Sequence, residues 1–259
     1  MIDYIFMVYK NKIMEREIEN DAFEWAKKNR KGIVKGILSK YNDKKYKARQ
    51  IFFLSGSPGS WKTEFINWIL DKWFREYFLH IDLDKLRILI PWYNWENADC
   101  FQKWAIKIME LLLDKVFQKW LNIILDWTFW SKTASYRNIK RALNKWYNIK
   151  IYYIKFDPIL AWKFTLWREI EKKRKVPLLS FFKQYYNSFN NIRIVLKEFT
   201  WIKLIVLEKH LTNSWHLAKI HIINSYKEFL NKESFLKPQY NKIHLLYKLF
   251  SLKIKLWKK

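Results

Sequence analysis

Hydrophobic residues along the chain follow two spacings, one typical of helices and one typical of buried strands. Residues 14–42 place apolar side chains at helical spacing between charges, which predicts an amphipathic helix. Short apolar runs predict strands at 50–55, 79–84, 121–126, 149–156 and 202–208. Helical patterns fill the intervals, at about 62–77, 97–119, 133–145, 159–173 and 178–198. The alternation predicts an α/β fold, a parallel sheet with helices on both faces.

The last fifth of the chain departs from this pattern. Residues 209–259 contain eleven Lys and two acidic residues, Glu228 and Glu233, which gives a net charge of +9. They lack a clear alternation of strands and helices, so we expect a basic helical extension. The predicted organisation is a helical segment over 1–45, an α/β domain over 46–208 and the extension over 209–259.

Composition narrows the class of protein. Half of the 259 residues are apolar, which excludes disorder as the main state, and no apolar run approaches the roughly 18 residues of a membrane span. The first 13 residues are too short for a signal peptide and are interrupted by Asp3. The single cysteine, Cys100, excludes a disulfide framework and a cysteine-rich metal site. We therefore expect a cytoplasmic protein.

Glycine and tryptophan occur in unusual numbers. The chain has 4 Gly and 16 Trp, where about 18 Gly would be ordinary for this length. Trp120, Trp146 and Trp201 each follow a helical pattern and precede a strand, at the position where a helix ends and glycine is preferred. Trp92 and Trp95 flank a turn, where glycine is also common. These positions support the hypothesis that a codon, most simply UGA, has been read as Trp where the source reads it as Gly.

The alternative is a protein that is genuinely rich in Trp and uses indoles to fill its interior. Not every Trp needs to be reassigned under the first hypothesis. Trp162, inside the helical stretch LAWKFTLW, suits a helix as it stands.

A candidate phosphate loop follows the first predicted strand. Its residues are Gly56, Ser57, Pro58, Gly59, Ser60, Trp61, Lys62 and Thr63, the pattern G-x-x-x-x-G-K-[ST] with Trp at the second Gly. In such a loop, backbone amides and a helix N-terminus surround phosphates, the Lys neutralises their charge and the hydroxyl binds Mg²⁺. The motif therefore predicts a site for the phosphates of a nucleotide and for Mg²⁺. Taken literally, Trp61 would put an indole where the backbone approaches phosphate, and a simple turn before Lys62 is the alternative.

Carboxylates end two of the later predicted strands. Asp82 and Asp84 close the run 79–84, and Asp126 closes the next strand, with Thr128 two residues further on. Because open α/β sheets bind ligands at the carboxyl ends of their strands, these groups could accept a hydroxyl proton or bind substrate. The alternatives are a helix cap at Asp84 and a turn with a capping Thr at Thr128.

Two arginines, Arg168 and Arg174, lie six residues apart after the strand 149–156. Arginines on a mobile segment can close over a transferring phosphoryl group and stabilise its charge. The spacing alone slightly favours the alternative of a solvated charge run, because REIEKKRK mixes both signs. The five His show no metal-binding spacing, so we predict no metal beyond Mg²⁺.

With Gly restored at the positions above, residues of about 50–200 resemble the zeta toxin / UDP-N-acetylglucosamine kinase family of P-loop kinases. The matching stretches are, in order, FFLSGSPGSWKTEF, IDLDKLRILIPWYNW, LNIILDWTFW and DPILAWKFTLWREIEKKRKVP. The resemblance implies a P-loop kinase domain over 46–208 that transfers phosphate from ATP to the 3′-hydroxyl of the amino sugar in a UDP-sugar. It also implies a small antitoxin as partner, which would block the ATP site.

The resemblance assigns roles residue by residue. Lys62 would be the phosphate-binding lysine, Thr63 the Mg²⁺ ligand and Asp84 the general base. Asp82 and Asp126, with Thr128, would contact the substrate, while Arg168 and Arg174 would be the lid arginines. Trp61 and Trp127 depart from the family pattern in two loops at once, so activity depends on whether they are Gly.

Two other functions fit parts of the sequence. A nucleic-acid-end kinase could use the same loop and base, with the net charge of +26 holding a polyanion. The abundance of Lys, Ile, Asn, Phe and Tyr, however, indicates A/T-rich codons as the source of that charge. If Trp61 and Trp127 are real, the chain would be a degenerate P-loop protein whose basic tail, 242–259, binds nucleic acid or a membrane. We favour a tail that packs on the core.

Overall fold

The computed structural model describes residues 2–41, 48–70, 77–95, 97–126, 129–210 and 219–257. The strands in chain order are β1 (Gln50–Ser55), β2 (Phe78–Asp82), β3 (Asn122–Asp126), β4 (Asn148–Lys155), β5 (Lys203–Glu208) and β6 (Lys219–Ile223). The helices are α1 (Ile2–Ser39), α2 (Lys62–Ile69), α3 (Leu83–Ile88), α4 (Ala98–Lys119), α5 (Lys132–Leu143), α6 (Pro158–Lys172), α7 (Leu178–Glu198), α8 (Tyr226–Asn231), α9 (Glu233–Leu236) and α10 (Lys242–Trp257). Most predicted strands and helices are confirmed to within two residues. None of the helices in the described ranges is long and apolar enough to cross a membrane.

The strands form one sheet in the order β2-β3-β1-β4-β5-β6. Strand β1 pairs in parallel with β3 and β4, so that Ile51 lies opposite both Ile123 and Ile149. Five of the six residues of β1 are buried, which explains why its sequence is an unbroken apolar run. The prediction of an α/β fold around a mainly parallel sheet is confirmed.

The C-terminal extension differs from its predicted form in one element. Residues 219–223 form β6, which pairs antiparallel with β5, although we expected the whole of 209–259 to be helical. In β6 only Ile223 is buried, so this edge strand has too little apolar alternation to stand out in the sequence. The rest of the described extension is helical, as α8, α9 and α10.

Strand β2 also ends earlier than its apolar run predicts. Its last residue, Asp82, accepts a hydrogen bond from the backbone N–H of Asp84 at 2.9 Å and caps α3. A side chain in this capping position favours a helix over further strand. Asp84 therefore lies in the first turn of α3 and does not end the strand, which corrects its predicted place. A helix cap at Asp84 was the alternative that the sequence left open. The structure shows a cap at the start of this helix, but Asp82 provides it.

The described residues divide into two compact units. One comprises Met1–Lys45 and Ile81–Lys119, and in it α1 packs along α4. The ring of Trp104 lies 4.3 Å from that of Phe23, and its indole N–H donates to the carbonyl of Glu19 at 3.2 Å. Trp104 thus packs between α1 and α4, and its only hydrogen-bond donor, the indole N–H, has a partner.

The other unit comprises Tyr46–His80 and Trp120–Lys259. Its apolar clusters include one that joins α6, α7 and α10 around Trp162, Phe181 and Leu249. The indole N–H of Trp162 donates to the carbonyl of Leu249 at 3.0 Å, and the side chain is fully buried. The helix α10 is therefore part of the fold of this unit, in agreement with a tail that packs on the core.

Several tryptophans occupy left-handed backbone conformations that favour glycine. Among the described non-glycine residues with positive φ are Trp61 (68°), Trp92 (66°), Trp120 (59°) and Trp146 (60°). The others are Arg49, Phe129 and Lys173. The predicted left-handed positions at Trp120 and Trp146 are confirmed. The prediction for Trp201 is wrong, because its φ is not positive.

The geometry around Trp146 is the most specific of these. Its N–H donates to the carbonyl of Leu143 at 2.9 Å, and the next N–H, of Tyr147, donates to Ala142 at 3.1 Å. These two hydrogen bonds form the Schellman motif, whose left-handed residue is usually Gly. Trp146 stands at that residue.

Candidate phosphate-binding site

The loop between β1 and α2 has the backbone that its sequence predicts. Gly56 and Gly59 both have positive φ, at 144° and 72°. A Cβ atom on Gly59 would overlap the carbonyl oxygen of Ala161, so α6 can approach the loop only because residue 59 has no side chain. The loop is thus held against α6 and leads directly into the first turn of α2.

Lys62 is buried across this loop. Its Nζ donates to the carbonyls of Gly56 at 3.0 Å and Ser57 at 2.6 Å, and only 9% of the residue is exposed. Burial lowers the pKa of Lys62 to about 8. The charges of Arg168 and Arg174 contribute to this lowering, and those of Asp126 and Glu64 oppose it. An ammonium group in this position is poorly solvated and surrounded by acceptors, which suits it to bind an anion.

The charges that act on Lys62 include those of three other predicted site residues. Asp126, half-buried at the end of β3, and the arginines Arg168 and Arg174 all act on it electrostatically. Four of the predicted site residues therefore belong to one cluster within one unit. Thr128, and Trp127 before it, lie outside the described residues.

Arg168 reaches the start of α2. Its Nη2 lies 2.9 Å from Oε1 of Glu64, and both side chains are partly exposed. Glu64 was not predicted from the sequence, because its partner is 104 residues away and no motif connects them. The pair places a guanidinium beside the phosphate loop, where an anion could exchange for the carboxylate.

A cleft of about 480 Å³ borders this ion pair. Its walls are formed by Trp61, Glu64, Lys163, Phe164, Trp167 and Arg168. The lining combines aromatic side chains with two cations, Lys163 and Arg168, and one carboxylate, Glu64. Such a cleft suits a flat ring that carries a negative group.

The indole of Trp61 lies in this cleft. It packs edge-on against Phe164 of α6, with the ring centroids 5.3 Å apart, and Nζ of Lys209 lies 5.5 Å from its ring. We expected a literal Trp61 to place its indole where phosphate approaches the loop. The side chain packs against α6 and the backbone has φ 68° and ψ 29°, and the obstruction of phosphate by the indole stays a prediction. The strain of Trp61 is therefore in the backbone.

Asp82 and Asp84 belong to the other unit. Oδ1 of Asp84 pairs with Nη1 of Arg87 at 3.0 Å, and Nη2 of the same guanidinium donates to Gln102 at 2.5 Å. Asp84 is half-buried in the first turn of α3, held by this contact and by the cap from Asp82. Arg87 is a partner of Asp84 that the sequence analysis did not name, and its spacing of three residues from Asp84 is the signal that could have indicated it.

The comparisons with known structures agree with the fold. A search of curated proteins found no match. The chain aligns with a solved structure from a study of the PezAT chromosomal toxin-antitoxin system of Streptococcus pneumoniae, at a TM-score of 0.60 and 16% identity, over 91% of this chain and 94% of that one. It is also similar to a structure of AvrRxo1-ORF1 with AvrRxo1-ORF2 and sulphate ions, at a TM-score of 0.53 and 11% identity, over 88% of this chain and 74% of that one. A related structure of that pair, with ATP, matches at a TM-score of 0.50 and 10% identity, over the same shares.

A family model matches the sequence directly. The model of the zeta toxin family covers residues 37–220, about seven-tenths of the chain, and includes the phosphate loop, both Asp84 and Asp126, and both arginines. The fold is that of the P-loop kinases, with the sheet, the loop and the helix α2 in their expected order. The protein belongs to the zeta toxin family.

Proposed function

We propose that the protein is an ATP- and Mg²⁺-dependent kinase that phosphorylates a hydroxyl group on the sugar of a UDP-amino sugar. The observation that carries this proposal is the buried ammonium of Lys62, which lies across a glycine-containing loop with Arg168 beside it. A similar structure contains ATP, and another contains sulphate ions. Both support a phosphate-binding role for this loop.

The donor chemistry of the loop fits a magnesium nucleotide. Phosphate oxygens would compete with the carbonyls of Gly56 and Ser57 for the Nζ of Lys62, which burial leaves poorly solvated. Thr63, exposed in the first turn of α2, would offer its hydroxyl to Mg²⁺. The bound ion would neutralise charge on the phosphates. Arg168 would exchange Glu64 for the transferring group, and Arg174 would add a second positive charge.

Asp84 is the proposed general base. It would accept the proton of the attacking sugar hydroxyl, while the contact with Arg87 and the cap from Asp82 fix the turn that carries it. In this proposal Asp82 acts as a substrate contact and as the cap. Asp126 and Thr128 would bind hydroxyl groups of the substrate.

Residue 61 decides whether the loop is complete. We propose that the native residue is Gly, because the backbone there is left-handed and the motif calls for Gly at this place. The same proposal covers residues 92, 120 and 146, which share the left-handed backbone. A mass measurement of the tryptic peptide Gln50–Lys62 from the source organism tests it directly, since Gly and Trp at residue 61 give different masses.

A small antitoxin is the proposed partner, since a similar structure comes from a toxin-antitoxin system. Its binding over the ATP site would inhibit the kinase. Co-expression of the neighbouring gene with this chain, followed by a kinase assay of the complex, tests this partner.

The activity itself is tested with protein in which both loops carry Gly, Trp61→Gly with Trp127→Gly. We expect transfer of labelled γ-phosphate from ATP to UDP-N-acetylglucosamine, and loss of transfer in Asp84→Asn with ATP binding unchanged. Asp114→Asn, an exposed carboxylate on α4, is the matched control and should keep full activity. Phosphorylation of oligonucleotide ends in preference to the sugar nucleotide would contradict the proposed substrate, and equal activity of Asp84→Asn would contradict the proposed base.

A further inference from the structure

The helix α10 is apolar on two opposite sides. Leu245 and Leu249 are fully buried in the cluster with α6 and α7, and Leu252 packs against it. On the other side Ile243, Tyr247, Phe250 and Ile254 form a row that we name the outer stripe. Their exposed fractions are 81%, 72%, 54% and 41%. An amphipathic helix on a protein surface ordinarily buries its one apolar side, so the second side needs an explanation.

The spacing of the outer stripe is that of a coiled-coil seam. Its residues follow one another at intervals of four, three and four, and at about 100° per residue they fall within about 60° of the helix circumference. A helix that packs on a broad apolar surface ordinarily has an apolar face at least about 100° wide. The outer stripe is narrower than that, as the seam of a coiled coil is. The geometry thus fits another helix better than the interior of a membrane.

Lysines flank the outer stripe on both sides. On the helical projection Lys248 and Lys255 lie on one side of it, and Lys242 and Lys253 lie on the other. The sequence of α10 contains no Asp or Glu. Two of these lysines lie over rings of this chain, with Nζ of Lys242 5.6 Å from the ring of Tyr186 and that of Lys248 5.5 Å from the ring of Tyr240. The lysines would therefore act on a partner helix through the positive field of α10, which favours an acidic partner. A second copy of this chain would set lysines against lysines, which disfavours self-association through this face.

We propose that the outer stripe docks an amphipathic helix of a partner protein, with apolar residues in heptad spacing and Asp or Glu beside them. The position of the stripe on α10 makes this inference independent of the proposed kinase activity. The apolar row would supply the binding energy, and the flanking lysines would select an acidic partner over a basic one.

The probe is a synthetic helix of four heptads, with Leu at both seam positions and Glu at the positions beside them. A scrambled peptide of the same composition, and one with Lys in place of Glu, are the controls. Fluorescence anisotropy with the full chain should show that the acidic heptad peptide binds about tenfold more tightly than either control. Equal binding of the scrambled peptide would mean simple charge attraction and would overturn the proposal.

Variants locate the binding. Tyr247→Ser with Phe250→Ser should weaken binding of the acidic peptide by about tenfold or more. Ile220→Ser with Ile222→Ser, on the exposed side of β6, is the matched control and should bind as the parent does. Urea unfolding midpoints of both variants establish that they fold. Loss of binding in the β6 control, or co-sedimentation with phosphatidylglycerol vesicles without binding of the peptide, would overturn the proposal, the second outcome in favour of a membrane surface.

Discussion

Trp146 and Trp201 form a matched pair for testing whether the left-handed tryptophans stand in place of glycine. Both follow a helix and precede a strand, and their exposed fractions are 82% and 85%, so neither contributes much buried surface. Trp146 has φ 60°, whereas Trp201 does not have positive φ. The substitutions Trp146→Gly and Trp201→Gly therefore change the same side chain in similar surroundings and differ in backbone conformation.

The expected effect follows from two opposing contributions. A left-handed backbone costs a residue with a side chain roughly 1–2 kcal/mol, which Gly at 146 would recover. Gly also increases the conformational entropy of the unfolded chain and so costs about 0.5–1 kcal/mol at either position. Trp146→Gly should then raise the free energy of unfolding by about 0.5–1 kcal/mol, and Trp201→Gly should lower it by a similar amount. The entropy contribution cancels in the comparison, which leaves roughly 1–2 kcal/mol between the variants.

Urea unfolding followed by far-ultraviolet circular dichroism measures this difference without relying on tryptophan fluorescence. Equal slopes in urea would show that the variants unfold with similar exposure of surface, so that the midpoints can be compared. If the two variants have the same stability, or if Trp201→Gly is the more stable, backbone strain at 146 does not favour Gly and the reasoning fails.

The site and the core give three further predictions. The pKa of Lys62 is about 8 in the folded protein and 10.5 for an ordinary lysine. Between these two pH values Lys62 is therefore protonated to a greater extent in the unfolded chain than in the folded one. The contribution of Lys62 to the free energy of unfolding should therefore rise with pH across that window, and urea titrations of Lys62→Met should lack this rise. Arg168→Ala should lower kcat roughly 10²–10³-fold in the phosphotransfer assay with little change in ATP affinity, and an unchanged kcat would remove Arg168 from the reaction. Trp162→Phe should cost about 1–3 kcal/mol in urea unfolding because it removes the hydrogen bond to the carbonyl of Leu249 and leaves part of a fully buried site unfilled, whereas the exposed Trp167→Phe should cost little.

The strands of the parallel sheet could be predicted from the sequence because they are covered on both faces and therefore read as continuous apolar runs. The same criterion missed β6, since Ile220 and Ile222 are exposed and the antiparallel edge needs no long buried run. The apolar pattern also predicted a β2 that is two residues too long at its end. The pattern contains no information on the hydrogen bond by which Asp82 caps the next helix. Local side-chain hydrogen bonds and edge pairing are thus the features that hydrophobic pattern leaves out.

The candidate site also contains residues that the sequence predicted and residues that it did not. A motif of eight neighbouring residues predicted the phosphate loop, and the structure gives Gly56 and Gly59 the backbone that the motif requires. Glu64 and Arg87 were not predicted, because each acts through a contact with another side chain that no motif encodes. The pairing of Glu64 with Arg168 depends on how α2 and α6 pack, so only the folded chain shows it. The pairing of Asp84 with Arg87 lies within one helix, and its spacing of three residues is visible in the sequence.

The described tryptophans include two sets that differ in burial and backbone conformation, and we expect the two sets to be encoded by different codons. Trp104 and Trp162 are buried and donate their indole N–H to backbone carbonyls, as expected of a genuine Trp. Trp61, Trp92, Trp120 and Trp146 have left-handed backbones, and a protein that used indoles to fill its interior would have no reason to place them there. If a UGA codon has been read as Trp, the left-handed set should be encoded by UGA and the buried pair by UGG. Reading the gene at these six positions tests this, and UGG at residue 146 would mean that the Schellman motif carries a real tryptophan and that the strain is part of the native protein.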